Sequence, residues 1–94
     1  MQYIKYIDDR VLEIYGKLPM LRKIEDGVVI KFAHHTITIT ELHYYDTTEI
    51  LIEWQFYNPP LYKEDDWTVT KSQVYTTLYH LFNRIDPRKP QFKR

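Results

Sequence analysis

Leu21–Tyr57 reads LRKIEDGVVIKFAHHTITITELHYYDTTEILIEWQFY, and the spacing of its apolar residues decides the fold. Asp26-Gly27 is the dipeptide that two-residue hairpin turns favour, because both central positions take positive φ. It predicts a short strand over 21–25 joined to one over 28–33, with Val28, Ile30 and Phe32 on one face. After His34-His35 the phase changes, and Ile37 and Ile39 alternate with Thr36, Thr38 and Thr40. A change of parity inside a β-rich run calls for a bulge or a turn at the histidines. Tyr44–Thr48 is the next turn. Residues 49–57 then alternate, with Ile50, Ile52, Trp54 and Phe56 facing one way. The stretch reads as an antiparallel meander of four strands, or three if the histidines sit in a bulge.

Upstream, Ile4, Ile7, Val11, Ile14 and Leu18 recur at steps of three and four, which predicts a helix over 2–18. Gly16 weakens its last turn and Pro19 stops it. Downstream, Asn58-Pro59-Pro60 ends the sheet, since proline cannot donate to the ladder. Residues 61–69 then read as a connecting loop. Thr70 and Gln73 have capping-box spacing, so a second helix is expected over 71–85, with Val74, Leu78, Leu81, Phe82 and Ile85 on its core face. Asp86-Pro87 stops it. The expected fold is α+β in two layers: an antiparallel sheet of three to four strands with an N-terminal and a C-terminal helix on one face. Residues 1–86 form the domain and 87–94 a mobile basic tail.

The chain has 94 residues, with 13 basic and 13 acidic side chains and no cysteine. The neutral total hides an acidic body and a tail whose charges, Arg88, Lys89, Lys93 and Arg94, are all positive. A dedicated duplex-DNA coat is excluded, because it needs an excess of phosphate-neutralising side chains. Disulfides and cysteine-based zinc sites are excluded too. No apolar run reaches the ~18 residues of a membrane span, and Met1–Ile7 lacks the layout of a signal peptide. A cytoplasmic location is the expectation.

Catalytic constellations are sparse. His34, His35 and His43, with Asp46 nearby, have no metal-ligand spacing, and adjacent strand residues point to opposite faces. Asp46, Glu53 and Gln55 have the rough spacing of a carboxylate followed by a Glu-x-Gln strand, as in metal-dependent nucleases, but the usual lysine is missing. Ser72 is the only serine, and with only Gly16 and Gly27 available no phosphate-cradling loop is possible. The element order is also that of double-stranded-RNA-binding domains, which grip phosphate with a basic cluster opening the last helix. Here that position reads Thr70-Lys71-Ser72-Gln73, with a single positive charge, so the order alone carries nothing.

Aromatic residues are in surplus: nine Tyr, four Phe and two Trp. Tyr44, Tyr45, Tyr57, Tyr62 and Trp67 lie near turns and outside the core stripes. They either cover the ends of a small core or form a contact surface. Tyr75 and Tyr79 flank the second helix's stripe and pose the same choice. The expected function is a non-enzymatic protein-binding module without cofactor or metal, of the inhibitor or adaptor kind that phages and mobile elements encode. Its binding residues would be these five aromatics and the four tail cations, and it would be a monomer or a homodimer. The alternatives are nucleic-acid binding through the tail and exposed rings and, last, a minimal nuclease.

Overall fold

Ile7 and Val11, one helical turn apart, become the buried stripe of α1 (Tyr3–Tyr15), with Ile4 and Ile14 packed at its margins. The computed structural model describes residues 3–58 and 61–89, with side chains described for 3–56 and 65–89. Helix α1 ends earlier than the periodicity suggests. Gly16 takes φ +79° and its N–H donates to the Leu12 carbonyl at 2.9 Å, which is the left-handed cap that glycine permits. Leu18 therefore falls outside the helix and is exposed.

Five strands follow in sequence order: β1 (Met20–Ile24), β2 (Gly27–Phe32), β3 (His35–His43), β4 (Thr48–Asn58) and β5 (Leu61–Val69). All neighbours are antiparallel. The expectation of three to four strands is thus corrected to five. The chain leaves β4 at Asn58 but rejoins the sheet at Leu61, so 61–69 is a strand and not a loop. Its alternation is visible once paired: Asp65, Trp67 and Val69 lie opposite the core residues Trp54, Ile52 and Ile50.

The first turn is also displaced by one residue. Ile24 pairs with Gly27, so Glu25-Asp26 forms the turn and Asp26 takes φ +60°. Gly27 opens β2, where a Cβ would overlap the Ile39 carbonyl oxygen of β3. At the histidines the turn alternative holds. Phe32 pairs with His35 across Ala33-His34, and Ala33 takes φ +50°. The next hairpin turns through 44–47, where the Tyr44 N–H donates to the Thr47 carbonyl.

Thr70 and Gln73 form the expected capping box, and Gln73 Oε1 accepts from the Thr70 N–H at 3.0 Å. The first turn, Lys71–Gln73, is a 3-10 helix, and α2 (Val74–Ile85) continues from it. Val74, Leu78, Leu81, Phe82 and Ile85 are buried as expected. Both helices cover one sheet face, where Val28, Ile30, Ile37, Ile39, Ile50 and Ile52 complete a single core with Ile7 and Val11. Each fully buried side chain of this size contributes roughly 1.5–3 kcal/mol. Tyr6 joins the helices by edge-on contacts to Tyr75 and Phe82. Among the described residues, no helix is long and apolar enough to cross a membrane.

The residues just past α2 are bonded to one another and to α1. Asp86 is fully buried just past α2, and its two carboxylate oxygens accept from Arg88 Nε and Nη2 at 2.9 and 2.8 Å. Arg88 Nη2 also reaches Glu13 of α1 at 3.3 Å. These bonds hold the Asp86 carboxyl at a pKa of about 2. Arg88, the first cation of the expected tail, is thus bonded both to Asp86 and to the first helix.

Candidate binding cleft

Three rows of directly opposed residues build one end of the core face. Phe32, His35 and Phe56 form one, Ile30, Ile37, Trp54 and Asp65 the next, and Val28, Ile39, Ile52 and Trp67 the third. The first row stacks rings: His35 lies 4.8 Å from Phe56 and 5.3 Å from Phe32, centroid to centroid. Tyr15, the last residue of α1, closes on His35 from the helical layer at 6.3 Å. Trp54 Nε1–H donates to His35 Nδ1 at 3.1 Å, a buried hydrogen bond. That bond fixes the neutral tautomer with its proton on Nε2. Burial, with a smaller contribution from His34, pushes the His35 pKa down to about 4.

Above these rings, Arg84 in the last turn of α2 sits with its guanidinium carbon 5.0 Å from the Trp54 ring centroid. Its Nη1 donates to Asp65 Oδ2 at 3.2 Å. Both partners are placed by the sheet register, since Trp54 and Asp65 are directly opposed on the face that α2 covers. Pro87, Ile85, Ala33 and His34 complete the walls of an open cleft of about 670 Å³. The cleft offers flat apolar walls with a cation at the rim. An aromatic or aliphatic side chain fits such walls, and a neighbouring carboxylate would meet Arg84.

The aromatics singled out from sequence are not brought together. Tyr44 and Tyr45 occupy the β3–β4 turn, and Tyr45 is fully exposed, so these two do not cover the core. Trp67 does, half-buried against the core from the edge strand β5. Tyr57 and Tyr62 are opposed in the β4–β5 register, about 30 Å along β4 from the tyrosine turn, and their side chains lie outside the described residues. On α2, Tyr75 and Tyr79 are partly exposed, and Tyr75 packs edge-on against Tyr3 and Tyr6. Of the tail cations, Arg88 is engaged with Asp86 and Glu13, and the Lys89 N–H donates to the Asp86 carbonyl at 3.2 Å. Lys93 and Arg94 lie outside the described residues.

The other candidates are likewise scattered. His43 lies at the far end of β3 from His35, about 26 Å away, within 3.5 Å of Glu41. Glu53 and Gln55 share the open sheet face, whereas Asp46 sits in the β3–β4 turn beyond the strand's start. Among the described residues, no group of three potential ligands is positioned to hold a metal. Sequence reading placed Trp54 and Phe56 in the core stripe and passed over Tyr15 and Arg84. The only early signal was a stripe ending in rings rather than aliphatics. Comparison with protein-family models, curated proteins and solved structures gives no match.

Proposed function

We propose that this chain is a non-enzymatic protein-binding module, of the inhibitor or adaptor kind, that seats a partner's apolar or aromatic side chain in the His35–Trp54–Phe56 cleft. The observation that supports it is an open cleft of about 670 Å³ walled by rings that stack and hydrogen-bond to one another. Rings already locked in place lose little entropy when a partner docks, which is why such groups dominate interface energetics. Arg84 selects for an acidic residue beside the anchoring side chain. The exposed Tyr44-Tyr45 turn is a second contact of the same chemistry at the other end of β4.

The nucleic-acid alternative has less support. Arg88 is already paired within the fold, and the open sheet face carries Glu53 and Asp66, both of which repel phosphate.

Two variants at the cleft test the proposal, Ala33→Trp to fill it and Arg84→Ala to remove its rim cation. The tagged wild-type chain should retain a partner from its native cell that neither variant retains, while both variants keep their melting transition. A partner held equally well by the filled cleft, or none held by the wild type, would overturn the assignment.

A further inference from the structure

A five-strand meander leaves two open edges, and here they carry opposite charge. Strand β1 (Met20–Ile24) contains Arg22 and Lys23 and no acid, a balance of +2. Strand β5 (Leu61–Val69) contains one lysine against Glu64, Asp65 and Asp66, a balance of −2. The polarity continues inward across the open face. One row of opposed residues runs Arg22, Val29, Thr38, Glu53, Asp66, with its cation at one edge and both carboxylates at the other. Glu53 and Asp66 are directly opposed like charges, a pairing that destabilises a sheet unless a cation lies beside it.

Charged edge strands usually keep sheets apart. That protection works between like edges: β1 repels a second β1, and β5 a second β5. It fails between unlike ones. Met20 and Leu21, at the start of β1, are also exposed (75% and 46%), so this edge presents apolar surface beside its charges. We propose that copies of this chain join head to tail, β1 of one pairing with β5 of the next, so that the sheet continues from copy to copy. The added strand brings Arg22 and Lys23 of the second copy alongside the Asp65–Asp66 edge of the first. Such a contact is heterologous, so each addition leaves one free edge of each sign, and assembly proceeds beyond a dimer. Each copy adds five strands, about 24 Å of sheet. The shared ladder can be no longer than the five residues of β1, which makes association weak and concentration-dependent. The contact shares only the Asp65–Arg84 pair with the cleft, and its test reads mass and not partner capture, so the two proposals can fail separately.

Sedimentation equilibrium of the full chain, over a range of concentrations at low and high ionic strength, tests it. The weight-average mass should rise with concentration above the 11.6 kDa of one chain, pass the dimer value, and fall back at high salt. Charge reversal supplies the decisive arm. Arg22→Glu with Lys23→Glu makes both edges acidic, and Asp65→Lys with Asp66→Lys makes both basic. Each should remain a single chain when alone, and an equimolar mixture should assemble again. Because Asp65 pairs with Arg84, Glu64→Lys with Asp66→Lys, which also takes β5 from −2 to +2, replaces the second variant if circular dichroism shows that the first double change disturbs the fold. A wild type that stays monomeric throughout, a species that stops at two chains, reversed variants that assemble alone, or a mixture that does not would each overturn the proposal.

Discussion

His35 is a core residue that happens to titrate. Its imidazole is nearly inaccessible, accepts the Trp54 N–H, and has a pKa of about 4 instead of 6.5. The unfolded chain therefore binds a proton that the folded one refuses, and stability should fall as pH drops from about 6.5 towards 4, by up to ~3 kcal/mol. Asp86 acts in a lower window. Its contribution is complete above its unfolded value of 3.8 and is lost as pH falls towards about 2. Urea unfolding at pH 7 and pH 4.5 isolates the histidine. The wild type should lose stability between the two, and His35→Phe should lose distinctly less. Equal slopes would show that the imidazole is charged or solvated in the folded state. The sequence disclosed part of this. Strand geometry predicted that His34 and His35 would not face the same way, and they do not, one in a turn and one in the core. That His35 would be the buried member depended on Trp54, 19 positions away, which no local pattern encodes.

Elements whose apolar residues repeat on one face were legible from sequence, and those defined by a neighbour were not. Helix α2 announced itself by Val74, Leu78, Leu81, Phe82 and Ile85, and β4 by four alternating apolar residues. Strand β5 did not, because four of its nine residues are charged and its place comes from pairing with β4. The β1–β2 turn was misplaced for a related reason. Gly27 is required not by its own φ but by the close approach of β3, a distant strand brought near only by folding. Gly27→Ala tests that account. A methyl group there must push aside the Ile39 carbonyl, so the cost should exceed the roughly 1–2 kcal/mol typical of placing a Cβ at a left-handed position. Gly16→Ala, with a φ of +79° and open space around it, supplies the comparison. Thermal melts should rank Gly27→Ala as clearly the less stable of the two. The reverse order would mean that β2 shifts to accept the methyl group.

At the scale of the whole molecule, α1 is fastened to α2 and to the residues just past it. Arg88 bonds to Glu13 across 75 positions and to the buried Asp86, while Tyr3 and Tyr6 meet Tyr75. Removing 88–94, which from sequence looks harmless, should lower the melting temperature, because it strands a buried carboxylate without its guanidinium. Arg88→Ala should reproduce most of that loss, and truncation after Lys89 should not. A melting temperature unchanged by Arg88→Ala would show that Asp86 is held by other groups. The joined helices also set the order in which a ribosome can deliver this fold. The four hairpins form between consecutive strands and can zip as they emerge, but the sheet's apolar face stays half uncovered until α2, made after all five strands, arrives to dock beside α1. Synthesis at roughly 5–20 residues per second leaves that greasy face open for seconds on every nascent chain. The stretch after Val69 is thus the segment whose delay, by pausing or by truncated message, leaves the cell with a sticky intermediate.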